Sequence, residues 1–148
     1  QCGTDPTLRT RTAHGIPTSL AAAFEREFRA EQSAKAGMWR AVVALHDLVL
    51  AERGPLAAEH VGAELAVRMG VHPRTGMTLM ITALRAGKAV PRLVELVEAG
   101  CLSDRHVSAL LDEAGKWTDS PEQARLVIEQ DYRGALGRAC EDYGEVAN

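Results

Sequence analysis

Five side chains between residues 74 and 85 have the types and spacing to recognise a nucleic acid: Arg74, Thr75, Thr78, Thr82 and Arg85. On a helix, at about 100° per residue, they share an arc of roughly 100°. Gly76, Met77, Leu79, Met80, Ile81, Ala83 and Leu84 fill the remainder, with Met77 and Ile81 bordering the stripe where polar base-reading residues often lie. The chemistry on offer is recognition. Arg reaches guanine edges or phosphate oxygens, and Thr donates to phosphate or touches a thymine methyl. Arg68, Lys88 and Arg92 flank the stripe and are expected to contact phosphates. From Leu65 to Val94 the chain carries five cations and no acid, so against a total of -3 the remainder carries -8. A basic face on an otherwise acidic protein confines polyanion binding to one side. The acidic total argues against strong non-specific affinity, which grows with the number of phosphates neutralised.

Bond-making chemistry has no comparable constellation. His72, His106 and Cys101 lie near one another in the chain without metal-ligand spacing. His106 is expected to hydrogen-bond across the preceding turn, and Cys101 to be a small core residue. Asp112 with Glu113, and Glu141 with Asp142, are adjacent pairs that point to different helix faces, so neither forms an acid/base dyad. No glycine loop of phosphate-cradling type occurs. The expectation is a non-enzymatic chain with no catalytic residue, no metal and no cofactor. Cys2, Cys101 and Cys140 are an odd set without C-x-x-C spacing, which suggests neither a disulfide framework nor a zinc finger and fits a reducing, cytoplasmic setting.

The recognition stripe needs a helix, and that helix needs a corner to aim it. Ala66, Gly70 and Val71 supply one. A small residue stands where two helices cross; four positions later comes a residue tolerant of positive φ, and then an apolar plug. A new helix starts near His72 and Pro73, and this order matches the DNA-binding helix-turn-helix. Glycine-cornered helix pairs also occur in helical proteins that never touch DNA.

Only 4% of the 148 residues are aromatic while 46% are hydrophobic, so the core must come from Ala, Leu, Val, Met and Ile. That composition favours close-packed helices. A long helix is expected to start at Thr18 or Ser19 as cap and to run to Gly54-Pro55. Its apolar positions are Leu20, Phe24, Phe28, Met38, Val42, Leu45 and Val49, with Trp39 as a packing anchor. Shorter helices are expected at about 57–69, 73–86, 90–99, 104–116 and 121–142, with Gly70, Gly87 and Gly100 as C-terminal caps and Ser103 and Ser120 as N-caps. The last repeats Ala124, Ile128, Tyr132, Leu136, Ala139 and Tyr143, a stripe suited to packing on the long first helix. No window shows strand alternation. The expected architecture is an all-α multi-helix bundle: a flexible arm over residues 1–17, then one domain over 18–145 with the helix-turn-helix at about 57–86. Arg9 and Arg11 in the arm read as a solvated tail rather than a polyanion contact. No apolar run approaches the ~20 residues of a membrane span. The start at Gln1 suggests a processed or partial chain.

The stretch Glu64-Leu-Ala-Val-Arg-Met-Gly-Val-His-Pro-Arg-Thr-Gly76, followed by Ala83-Leu-Arg-Ala, Val90-Pro91 and Leu96-Val-Glu-Ala-Gly-Cys-Leu-Ser-Asp-Arg-His106, resembles the 13E12-repeat domain. That helical module precedes HNH endonuclease domains in actinobacteria and their phages. Leu65, Ala66, Gly70, Val71, Pro73, Arg74, Thr75, Pro91, Gly100, Ser103 and His106 match its pattern, whereas His72, Gly76 and Val107 depart from it. The resemblance covers about residues 20–140. A weaker likeness is to the helix-turn-helix domain of ParB-type partitioning proteins. Both imply a DNA-facing helical fold, and the first implies nuclease company. The paired histidines of an HNH site are not found in this chain, whose last histidine is His106.

Two functions follow as expectations. The leading one is a non-catalytic module that binds double-stranded DNA. The rival is a protein-interaction or homodimerisation module, working through the long first helix and the C-terminal helix and making no nucleic-acid contact.

Overall fold

The structure is a computed structural model that describes residues 9–115 and 122–123. It is all-α: α1 (Thr18–Arg53), α2 (Pro55–Glu59), α3 (Val61–Met69), α4 (Pro73–Ala89), α5 (Pro91–Glu98) and α6 (Asp104–Gly115). Among the described residues there is no strand, and the one β-type pairing is an isolated bridge between Arg11 and Pro17. The expected helix at 121–142 lies outside the described residues apart from 122–123.

Each break between helices has a local cause. α1 stops where Gly54 takes φ 88° and donates its N–H to the Leu50 carbonyl, ahead of a proline that bars the helical conformation to its predecessor. The single helix expected at 57–69 is two, divided at His60, whose N–H turns back to the Ala57 carbonyl at 3.1 Å. Gly70 and Gly100 both adopt left-handed φ, 68° and 79°. After each, the next residue's N–H bonds back five residues: Val71 to Ala66 at 3.0 Å and Cys101 to Leu96 at 2.9 Å. These are Schellman closures, which satisfy carbonyls that a helix end leaves open.

Other expectations are corrected. Gly87 caps nothing: α4 runs through it to Ala89. The glycine lies against α1 instead, where an added Cβ would sit 3.0 Å from Val43 Cγ2. Neither Thr18 nor Ser19 caps α1 through its side chain, and Ser19 Oγ is buried without a partner among the described residues. The described part of the expected flexible arm is a closed loop. Thr18 N–H bonds the Thr10 carbonyl at 2.7 Å, Thr12 N–H bonds the Ile16 carbonyl at 2.8 Å, and the Arg11 guanidinium donates to the Gly15 carbonyl.

The core is aliphatic, as the composition requires. Trp39 and Val42 of α1 meet Met80, Ala83 and Ala86 of α4, Leu93 and Val97 of α5, and Val107 and Leu111 of α6. Met38 and Leu45, expected on the buried stripe of α1, are exposed; the buried face is Gln32, Ala36, Trp39 and Val42. Gln32 is a buried polar residue with a purpose: its Oε1 accepts the Asp104 N–H at 2.7 Å and satisfies one open donor at the start of α6. Ser103 adds the local cap, accepting from His106 N–H at 3.1 Å.

α3 crosses α4 where neither backbone is shielded by a large side chain. A Cβ built on Gly76 would lie 2.1 Å from the Gly62 carbonyl oxygen and 2.7 Å from Ala66 Cβ. Gly76→Ala is therefore expected to destabilise the protein by about 1–3 kcal/mol through overpacking. Gly37→Ala, in a helix interior with nothing near the new methyl, is expected to stabilise by about 0.5–1 kcal/mol. Urea denaturation of the two variants reads both signs.

Candidate nucleic-acid interface

The ridge of α4 is aimed by three local devices. Gly70 turns the chain in a conformation that costs a Cβ-bearing residue energy. Pro73 starts the helix where its missing N–H does no harm. His72 caps it, with Nδ1 accepting the Arg74 N–H at 3.1 Å. A histidine here takes the place usually given to Ser, Thr or Asp, and the bond fixes the imidazole tautomer: Nδ1 accepts, so in the neutral ring Nε2 carries the proton. Val71, expected as a plug, is exposed at the corner.

The eight sequence-predicted residues divide into two groups. Arg74, Thr75 and Thr78, on the first turns of α4, are exposed. Among the described residues no carboxylate lies within salt-bridge distance of Arg74. Further along, Thr82 is half-buried, and Arg85 is turned inward, 39% exposed, with its guanidinium on the Leu111 carbonyl and 3.3 Å from Asp112 Oδ1. Arg85 thereby ties α4 to the C-terminal half of α6.

The flanking cations are also engaged. Arg68 pairs with Glu64 at 3.3 Å, Lys88 with Asp47 at 2.8 Å and Arg92 with Glu95 at 3.1 Å. The acid-free window of the chain is thus not an acid-free surface. Glu64 and Glu95 sit at its two edges, and Asp47 and Asp112 arrive from α1 and α6. All these pairs are solvent-exposed, so each contributes only about 0–1 kcal/mol and exchanges partners at little cost.

The ridge has one more exposed member, which the chain pattern placed only at its border. Ile81 is 48% exposed, three residues after Thr78 and seven after Arg74, on the same side of α4. Its hydrophobicity points to the buried side; the i, i+4, i+7 relation is the signal that places it with Arg74 and Thr78. Met77, farther round the same border, is half-buried and packs over Gly62, where an added Cβ would meet its Sδ at 2.6 Å.

The residues considered for bond-making differ in their surroundings. Cys101 is buried, while His106 is exposed and its Nδ1 lies 3.4 Å from Ser103 Oγ. Among the described residues no group of three His, Cys, Asp or Glu side chains is placed to hold a metal ion, and no helix is long and apolar enough to cross a membrane. Comparison of the chain with protein families, with curated proteins and with solved structures finds no match.

The hydrogen bond from Lys88, with its charge attraction, holds the Asp47 carboxyl below its ordinary value against a smaller opposing desolvation. A carboxyl whose folded value lies below the unfolded one contributes stability that is complete above the unfolded value and lost as pH falls through the folded one. Asp47→Asn is expected to lower stability slightly across the neutral range, to match the wild type at the acid end, and so to shallow the acid-side loss between them. Denaturation midpoints across an acidic pH series measure the effect.

Proposed function

We propose that the chain is a DNA-binding module in which α3 and α4 act as a helix-turn-helix and the start of α4 enters the major groove. The observation that carries this reading is the exposed group Arg74, Thr75 and Thr78 on the first turns of α4, with no carboxylate within salt-bridge distance of Arg74 among the described residues. In this class of motif those turns of the second helix approach base edges. The left-handed Gly70 corner and the close Gly62/Ala66–Gly76 crossing supply the rigid mounting such insertion needs. Arg74 then contacts guanine or phosphate. Arg68, Lys88 and Arg92 exchange their surface carboxylates for phosphates, while Arg85 stays with α6 and contributes through the mounting. The likeness to the 13E12-repeat and ParB-type domains, an association with HNH nucleases and a cytoplasmic location belong to the same proposal.

Binding to duplex DNA over a salt series tests it. The logarithm of the affinity should fall linearly with the logarithm of salt, and Arg74→Ala should make that slope shallower by roughly 0.9, the value for a single neutralised phosphate. Arg85→Ala should lower thermal stability more than Arg74→Ala does, because the bonds that tie α4 to α6 are lost. Absence of salt-dependent binding at low ionic strength would overturn the reading.

A second reading rests on α1. Phe24 is 69% exposed and stacks on Phe28 with ring centroids 6.2 Å apart. With Ile16, Leu20 and Gly100 they line a groove of about 450 Å³. This surface suits self-association or a protein partner; the C-terminal helix named with it in the chain pattern lies outside the described residues. Under this reading Phe24→Glu lowers a concentration-dependent mass in sedimentation, whereas a mass that is monomeric at all concentrations rejects the self-association form.

A further inference from the structure

We propose that Ile81 reads the 5-methyl group of thymine, so that the DNA taken by this site carries thymine opposite the middle of α4. The inference rests on the DNA-binding reading above and adds what that site selects. The exposed ridge offers a single long polar reader, Arg74, which fits guanine or phosphate. Its other exposed members are Thr75, Thr78 and Ile81, and all three present methyl groups. No Asn or Gln is present in α4 to make the bidentate contact with adenine. In the major groove the feature that marks thymine apart from its hydrogen-bonding edge is the C5 methyl, and apolar side chains are what contact it.

Ile81 is suited to this by position as well as chemistry. It stands one helical turn beyond Thr78 on the face shared with Arg74, at a rise of about 10 Å from Arg74 along the axis. A groove-bound helix therefore brings the two to different base pairs. An isoleucine left half in water at the middle of a ridge gains by covering its side chain. The arginine on the same ridge has no carboxylate within reach among the described residues, which supplies the charge complementarity that directs the ridge to a polyanion.

The experiment uses two pools of short duplexes with randomised centres, identical except that one is synthesised with thymine and the other with uracil. Uracil removes the methyl and keeps the pairing edge. Wild-type protein is expected to bind the thymine pool about fourfold more tightly for each methyl contacted. Ile81→Ala, a change at an exposed helical position checked by circular dichroism, is expected to bind both pools equally and to keep the wild-type salt slope. Equal wild-type binding to the two pools overturns the assignment and leaves DNA binding standing. Discrimination that survives in Ile81→Ala moves the methyl contact to another residue and also overturns it. Binding to neither pool removes the DNA reading and this inference together.

Discussion

The close approach of α3 to α4 sets the geometry on which the rest of the surface depends. Gly62, Ala66 and Gly76 bring two backbones to a separation at which even one methyl group has no room. Contacts of this kind define an orientation more sharply than interlocked Leu or Met side chains, because they contain no rotamers through which the helices could settle. The Schellman closure at Gly70 holds the connecting turn from the other side. With both constraints in place, the direction in which the first turns of α4 point is a property of the backbone. Arg74, Thr75 and Thr78 then need only to be short of competing partners.

The electrostatics of the ridge change along its length. At the α4 start the positive ends of the backbone amides and the His72 cap lie beside the exposed Arg74 guanidinium, which has no carboxylate within salt-bridge distance among the described residues. Toward the α4 end the cations turn to intramolecular bonds: Lys88 ties α4 to α1 through Asp47, and Arg85 ties it to α6. Such a gradient leaves the positive charge least compensated at the start of the helix, among the described residues. It also explains how a chain with an acidic total can present a basic surface without a large positive field, since most of the local charge is already balanced by neighbours a few ångströms away.

The mounting of the bundle behind the ridge relies on small polar devices as well as aliphatic burial. Gln32 is nearly inaccessible, yet it is no unsatisfied liability, because its carbonyl oxygen meets the open amide of Asp104. That single hydrogen bond joins the middle of α1 to the beginning of α6 across 72 residues of chain. It fixes the register of α6, whose far end in turn receives Arg85 from α4. α1, α6 and α4 are therefore linked in series, and a disturbance at the buried glutamine has a route to the exposed ridge.

Much of this is legible along the chain. Helical periodicity, the Gly54-Pro55 stop, the glycine corners at 70 and 100, the Ser103 cap and the Arg74–Thr78 stripe are all local: each depends on residues within about one or two turns, where backbone conformation and side-chain spacing suffice. Gly87 misleads because a glycine that admits a neighbouring helix and a glycine that ends its own look alike until Val43 is in place. Met38 and Leu45 mislead because α1 carries apolar residues on more than one face, and only the packed partners choose which face is buried. The acid-free window misleads for the same reason in electrostatic form: charges interact through space, so Asp47 and Asp112, distant in the chain, neutralise Lys88 and Arg85. Local hydrogen bonding and steric preference wrote the helices and their corners into the amino-acid order. Which cations stay free, and that Ile81 joins them at the surface, followed from long-range packing, because no short stretch of chain records what will lie beside it.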